Sequence, residues 1–128
     1  MARILCVEDN DDTQYMMHRR LSRAGHDVKV SPNGKQAVTW AKTLKPDLIV
    51  MDLNIPGMDG WEATRQLKSQ PETQHIPVIV ATGRIGENSR EQAFAAGCDD
   101  FVTKPVDFAG LLKKIEALLA RGGPATTS

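Results

Sequence analysis

Short apolar runs alternate with amphipathic stretches along almost the whole chain. Residues 4–7, 27–30, 48–51, 77–81 and 101–102 read as strands. Four of these runs are rich in Val, Ile or Leu, and the one at 48–51 is apolar on both faces, the pattern of a buried parallel strand. Between them, apolar residues recur at helical spacing. Met17, Leu21 and Ala24 line a first helix over about 12–24, and Ala37, Val38, Ala41 and Leu44 line a second. Residues 61–69 and about 87–96 read as a third and a fourth. Phe108, Leu111, Leu112, Ile115, Leu118 and Leu119 mark the clearest amphipathic helix in the chain. Punctuation agrees with this division. Gly25 and Gly97 stand where helices should stop, Asn33 stands where one should be capped, and Pro46 ends the second. Residues 54–60 hold Pro56, Gly57 and Gly60 and read as loop. Residues 1–121 form one folded unit in this reading, and 122–128, without periodicity, a flexible tail.

Five strand–helix units in succession predict an α/β fold, because parallel strands need crossovers and the helices supply them. Right-handed crossovers then place helices on both faces of one five-stranded parallel sheet, a doubly wound architecture. In such open sheets the functional crevice lies outside the carboxyl ends of the strands.

Length and charge narrow the function. A chain of 128 residues fits one domain, and it can bury enough surface to fold without staples. Sixteen basic and sixteen acidic residues cancel, which leaves no basic excess for nucleic acid binding. The N-terminal apolar run is too short for a signal peptide or a membrane span. Cys6 and Cys98 lie far apart in sequence and read as reduced, partly buried thiols of a cytoplasmic protein.

The strand ends carry the chemistry. Glu8 and Asp9 end the first strand, Asp52 the third, Thr82 the fourth, and Lys104-Pro105 the fifth. A parallel sheet brings all of these to one edge. Three carboxylates in one crevice repel one another; two unit charges about 4 Å apart interact by about 4 kcal/mol at an effective dielectric of about 20. Lys104 offsets part of this, and a divalent cation the rest. Oxygen ligands in a partly solvated pocket favour magnesium, with a phosphate as the complementary ligand. Helix capping alone accounts for Asp11 and Asp12, but not for an acid, a threonine and a lysine at the ends of three further strands.

The runs VEDN at 7–10, DLNIPGMDG at 52–60, VATG at 80–83 and FVTKP at 101–105, in this order and spacing, resemble the response regulator receiver family from about Arg3 to about Leu119. The resemblance implies the flavodoxin-like (βα)5 fold with strand order 2-1-3-4-5. It implies a phospho-acceptor at Asp52, served by Asp9 and Asp52 as magnesium ligands (manganese being the alternative metal), by Glu8 through a bound water, and by the backbone carbonyl of Asn54. Lys104 is then the partner of a phosphoryl oxygen. Thr82 and Phe101 are the switch pair, the hydroxyl moving toward the phosphoryl group and the ring turning inward. A cis bond between Lys104 and Pro105 is a further implication. So are a sensor histidine kinase or phosphotransfer protein as donor, a downstream protein as target, and a monomer or phosphorylation-promoted dimer. Such a protein is a switch rather than an enzyme, catalysing only its own phosphorylation and slow dephosphorylation. Glu8 stands where the commoner pattern has aspartate, and Phe101 where it has tyrosine, so the switching ring offers no hydroxyl. Asn54 and Arg84 occupy positions that tune the phosphoryl lifetime in the family.

Competing readings fit less well. A magnesium-dependent aspartyl-phosphate phosphatase wants a second acid two residues after the nucleophile, where Asn54 stands, and a substrate cap. A flavin binder wants a hydroxyl-rich phosphate loop after the first strand, where this chain has Glu8-Asp9-Asn10-Asp11. A receiver-like module that takes no phosphate has no use for the full set of strand-end residues. Elsewhere the plain readings are expected: His18, His26 and His75 isolated, Arg19, Arg20 and Arg23 a solvated basic face, and Asp99-Asp100 loop charges on the opposite sheet edge.

Overall fold

Each apolar run becomes a strand of one sheet, and each is followed along the chain by a helix or the position of one. The computed structural model describes residues 2–53, 60–82, 91, 94–103 and 106–121, with the backbone alone at Thr82 and Arg121. The elements are β1 (Arg3–Val7), α1 (Asp11–Arg23), β2 (Asp27–Ser31), α2 (Gly34–Leu44), β3 (Leu48–Asp52), α3 (Gly60–Ser69), β4 (Val78–Thr82), β5 (Asp100–Thr103) and α4 (Phe108–Arg121). Of the helix expected over about 87–96, Glu91, Phe94 and Ala95 are described and are helical. Ala96 is a buried turn residue, whereas 87–90 and 92–93, the residues 54–59, the Lys104–Pro105 bond and the tail 122–128 lie outside the described residues.

The sheet is parallel throughout, in the order β2-β1-β3-β4-β5. The chain therefore winds outward from β1 in one direction and returns past it for β3, the doubly wound order expected. Alternation along β1 sorts the core in two. Leu5 and Val7 face α2 and α3 in a cluster with Ile49, Met51, Val78 and Val80. Ile4 and Cys6 face α1 and α4 with Met17, Leu21, Ile79 and Leu111. All five residues of β3 are buried, as its continuous apolar run requires.

The helix starts are built as their residues dictate. Asn10 caps α1, its side chain accepting from the Thr13 N–H at 2.9 Å, with Asp11 and Asp12 in the first turn. Asn33 caps α2 by accepting from the Gln36 N–H at 2.8 Å. Four of the strands run one residue past the apolar pattern, to Ser31, Asp52, Thr82 and Thr103, because ladder hydrogen bonds need no apolar side chain. That extension sets polar groups at the carboxyl edge on strand backbone rather than on loop.

Two plain readings from the sequence are corrected. Asp99 and Asp100 do lie at the amino edge, but they are half-buried and bonded. Asp99 accepts from Lys68 Nζ and from the Val78 N–H, both at 2.8 Å, and Asp100 accepts from Lys114 Nζ at 3.1 Å. Arg20 is not merely solvated either, since its guanidinium lies 5.3 Å from the centroid of the Phe108 ring and ties α1 to α4.

Candidate metal and phosphoryl site at the carboxyl edge

Where β1 ends, Glu8 turns inward and Asp9 outward: Glu8 is 2% exposed, whereas Asp9 is open to solvent. The Glu8 backbone is gripped from two elements. Its N–H donates to the Ser31 carbonyl of β2 at 2.9 Å, and its carbonyl accepts from the Gln14 side-chain amide of α1. Its own carboxylate accepts from the Asn10 N–H at 3.1 Å through one oxygen. Ser31 is fully buried and donates its hydroxyl toward the Asn33 carbonyl and the Gln36 side chain, both at 3.0 Å, so the neighbouring strand end is itself tied down.

Asp52 ends β3 one strand away. It is 2% exposed and sits in register with Ala81, and the next N–H, that of Leu53, donates to the Ala81 carbonyl at 3.0 Å. The first residue of α3 packs directly on this corner. A Cβ at Gly60 would lie 2.7 Å from the Asp52 carbonyl oxygen and 2.7 Å from Leu53 Cα, both backbone atoms that would have to shift to admit it. Glycine at 60 is thus a requirement of close approach rather than a loop filler. Thr64, buried in α3, returns a hydrogen bond to the Gly60 carbonyl at 2.7 Å.

These constraints bring Glu8, Asp9 and Asp52 together, one carboxylate oxygen from each lying within 4.8 Å of the others. Like charges held that close are costly without a cation among them, and hard oxygen donors of this kind suit magnesium. Two of the three donors are buried and one is open, so the site has fixed walls and a solvent face. Of the other residues singled out from the sequence, Thr82 ends β4 with its backbone paired to Thr103. Phe101 is half-buried on β5, in register with Val80, and packs on the core cluster of α2 and α3, as Trp61 and Leu53 also do. Asn54, Lys104 and Arg84 lie outside the described residues. The sequence reading passed over Gln14 and Ser31, and it took Gly60 only as a turn residue. The polar pair carries no local signal, because each acts on a residue that only the fold brings near.

A model of the response regulator receiver domain matches residues 4–116. The chain belongs to the response regulator receiver family. It is 42% identical over 120 residues to protein PilH of Pseudomonas aeruginosa, a match covering 94% of this chain and 99% of PilH. It is 36% identical over 117 residues to response regulator PleD of Caulobacter vibrioides, where the match covers 91% of this chain and 26% of that longer protein. Among solved structures it is similar to the receiver domain of a sensor histidine kinase from Pseudomonas aeruginosa, with TM-score 0.86, 32% identity, and coverage of 93% of this chain and 98% of that one. That domain was solved with a magnesium ion coordinated in its active site cleft. As a receiver, this chain is the phosphorelay module of a two-component system, a signalling switch whose class partners with histidine kinases or phosphotransfer proteins. Phosphorylation and a magnesium site are general features of the family. Among the described residues, no helix is long and apolar enough to cross a membrane.

Proposed function

We propose that Asp52 is the phospho-acceptor of this receiver and that Glu8, Asp9 and Asp52 hold the magnesium ion its phosphorylation requires. The observation that carries the reading is the meeting of three carboxylates from two strand ends, with Asp52 buried and in register at the middle of the sheet. A divalent ion, when bound, supplies positive charge that draws the carboxylates and the phosphoryl oxygens together; magnesium fits this donor set, with manganese the alternative. An oxygen of Asp52 attacks phosphorus in line. The new O–P bond makes an acyl phosphate as the bond to the donor breaks, and the donor's leaving group departs with that electron pair. Positioning and charge neutralisation do most of the work, since phosphoryl transfer leaves little covalent chemistry to the protein.

In the same reading Asp9 ligates directly, Glu8 acts through a water, and the Asn54 carbonyl completes the protein's share. Lys104 pairs with a phosphoryl oxygen as a compact charge. Thr82 donates its hydroxyl to the phosphoryl group, and Phe101 turns inward beside it. The surface near β5 and α4 then changes shape toward a downstream protein, as a monomer or a phosphorylation-promoted dimer. The donor is a sensor histidine kinase or a phosphotransfer protein, the setting is the cytoplasm, and the only chemistry catalysed is the chain's own phosphorylation and slow dephosphorylation.

The test is intact mass after incubation with magnesium and acetyl phosphate, beside an Asp52→Asn control. The expected result is a gain of one phosphoryl group that is absent in the control and lost when a chelator is present during the reaction. If no phosphoryl group is gained, and beryllium fluoride with magnesium leaves tryptophan fluorescence unchanged, the assignment is wrong. A gain that survives in the control moves the acceptor to another residue.

A further inference from the structure

We infer that Gln14 is a positioning residue for the acid cluster, its side-chain amide holding the Glu8 carbonyl and through it the corner from which Asp9 reaches the metal. The inference rests on the reading of the cluster as a magnesium site. Its physical basis is the planarity of the peptide bond. The Glu8 carbonyl and the Asp9 N–H belong to one rigid plane, so a donor that fixes the carbonyl also fixes the direction in which Asp9 leaves β1. Gln14 is that donor. It is half-buried on the first turns of α1, six residues beyond the carbonyl it binds.

The opposing forces explain why such a tie is needed. Carboxylates within 4.8 Å of one another push the corner apart when no cation lies between them. Asp9 is exposed, so no packing opposes that push. Ser31 holds the plane before Glu8, through the Glu8 N–H at 2.9 Å. Gln14 holds the plane after it. The two ties come from different elements, β2 and α1, and together they fix both peptide planes flanking Glu8. Gln14 also donates its own N–H to the Asn10 carbonyl at 2.9 Å, so the start of α1 stays formed when the side-chain amide is removed. The side chain is therefore separable from the helix cap.

The experiment compares wild type with Gln14→Met, which keeps size and helix propensity but removes the donor, and with Gln14→Ala, which also removes bulk. Three quantities are read: the magnesium dissociation constant by titration calorimetry, amide hydrogen exchange at Asp9 and Asn10 in the metal-free protein, and the melting temperature. The expected outcome is a dissociation constant raised about tenfold in both variants, in line with what groups supporting metal ligands contribute. Faster exchange at Asp9 and Asn10 should accompany it, with little change in melting temperature. A dissociation constant within about twofold of wild type overturns the role, whatever the melting temperature does, and a fall in melting temperature alone shows Gln14 to be a helix-start contact only. Wild type that binds no magnesium overturns the reading of the cluster and this role together, whereas wild type that binds beside unchanged variants overturns this role alone.

Discussion

At the amino edge of the sheet four aspartates stand apart, each with a cation or a backbone N–H of its own, whereas at the carboxyl edge three carboxylates are gathered in one place, Glu8 also accepting from the Asn10 N–H. Asp27 lies 3.7 Å from Arg3 Nε, and Asp47 accepts from the Arg3 N–H at 2.8 Å. Asp99 and Asp100 are paired with Lys68 and Lys114. These acids stitch strand starts to helices and loops. Glu8, Asp9 and Asp52 are instead gathered within 4.8 Å of one another, with Glu8 and Asp52 buried. The same residue type thus serves two ends. Spread out, each with its own donor, it holds the fold; gathered together, it forms the place proposed above for an external cation and a phosphoryl group. On the proposed reading, stability and function are segregated to opposite edges of one sheet.

The sharpest way to break this comparison is Asp52→Asn. Phosphoryl uptake should vanish altogether. The metal-free variant should also be more stable than wild type, by on the order of 1 kcal/mol, because a buried like charge has been removed. Urea unfolding with and without magnesium checks it. Magnesium at about 100 times its dissociation constant should stabilise wild type by about 2.7 kcal/mol and the variant far less. A metal-free variant weaker than wild type would mean that the massed carboxylates are already compensated within the fold.

Lys68→Met probes the opposite edge. Lys68 Nζ donates to Asp99 at 2.8 Å and to the Ile76 carbonyl at 2.7 Å, and its side chain is only 18% exposed. Removing it takes the cation from a half-buried Asp99 carboxylate, which keeps only the Val78 N–H, and takes a donor from the Ile76 and Gln74 carbonyls, which should lower stability by about 2–3 kcal/mol. The folded fraction should still take up one phosphoryl group at the wild-type rate. A slowed reaction with intact folding would show that the edges are coupled.

Gly60→Ala should cost less, about 1–2 kcal/mol, but the cost falls at the functional edge. The new methyl group has to displace the Asp52 carbonyl or Leu53, each 2.7 Å away. Phosphorylation with acetyl phosphate should slow several-fold in protein that is fully folded by circular dichroism. An unchanged rate would separate the placement of Asp52 from the packing of α3.

Much of this architecture is legible in the chain because it rests on local periodicity. The two-faced apolar run ending at Asp52, and the alternation that sends Leu5 and Val7 to one face and Ile4 and Cys6 to the other, follow from residue order alone. Glu8, Asp9 and Asp52 were legible for a related reason: in a parallel sheet, sequence position at a strand end is spatial position at one edge. Bonds between residues distant in sequence were not legible. Lys68 and Asp99 stand 31 positions apart, and nothing in either neighbourhood marks the other, so Asp99 read as a loop charge. Gln14 is closer to Glu8, yet the contact depends on the turn that Asn10 makes, which is geometry rather than pattern.

The two thiols offer the finest comparison of the edges, with no effect at neutral pH. Cys6 stands on β1, two residues before Glu8; burial first, and then the Glu8 charge, push its pKa from 9.0 up to about 12. Cys98 stands just before Asp99 and Asp100. Burial raises it first and the two aspartates add to that, while Lys68 pulls the other way, leaving it at about 11. Both thiols hold their protons in the fold at a pH where the unfolded chain loses them. Their contribution to stability is therefore complete below about pH 9 and declines as pH rises through the folded values. Urea unfolding from pH 7 to 10.5 should show that decline, and its slope should flatten in Cys6→Ala and in Cys98→Ala. The informative arm is the Lys68→Met background. Removing the ammonium raises the Cys98 pKa further and steepens the alkaline slope that Cys98→Ala abolishes, while the slope due to Cys6 stays as it was. Equal steepening at both thiols would mean that the charge of Lys68 is felt across the sheet, and that the two edges are not electrostatically separate.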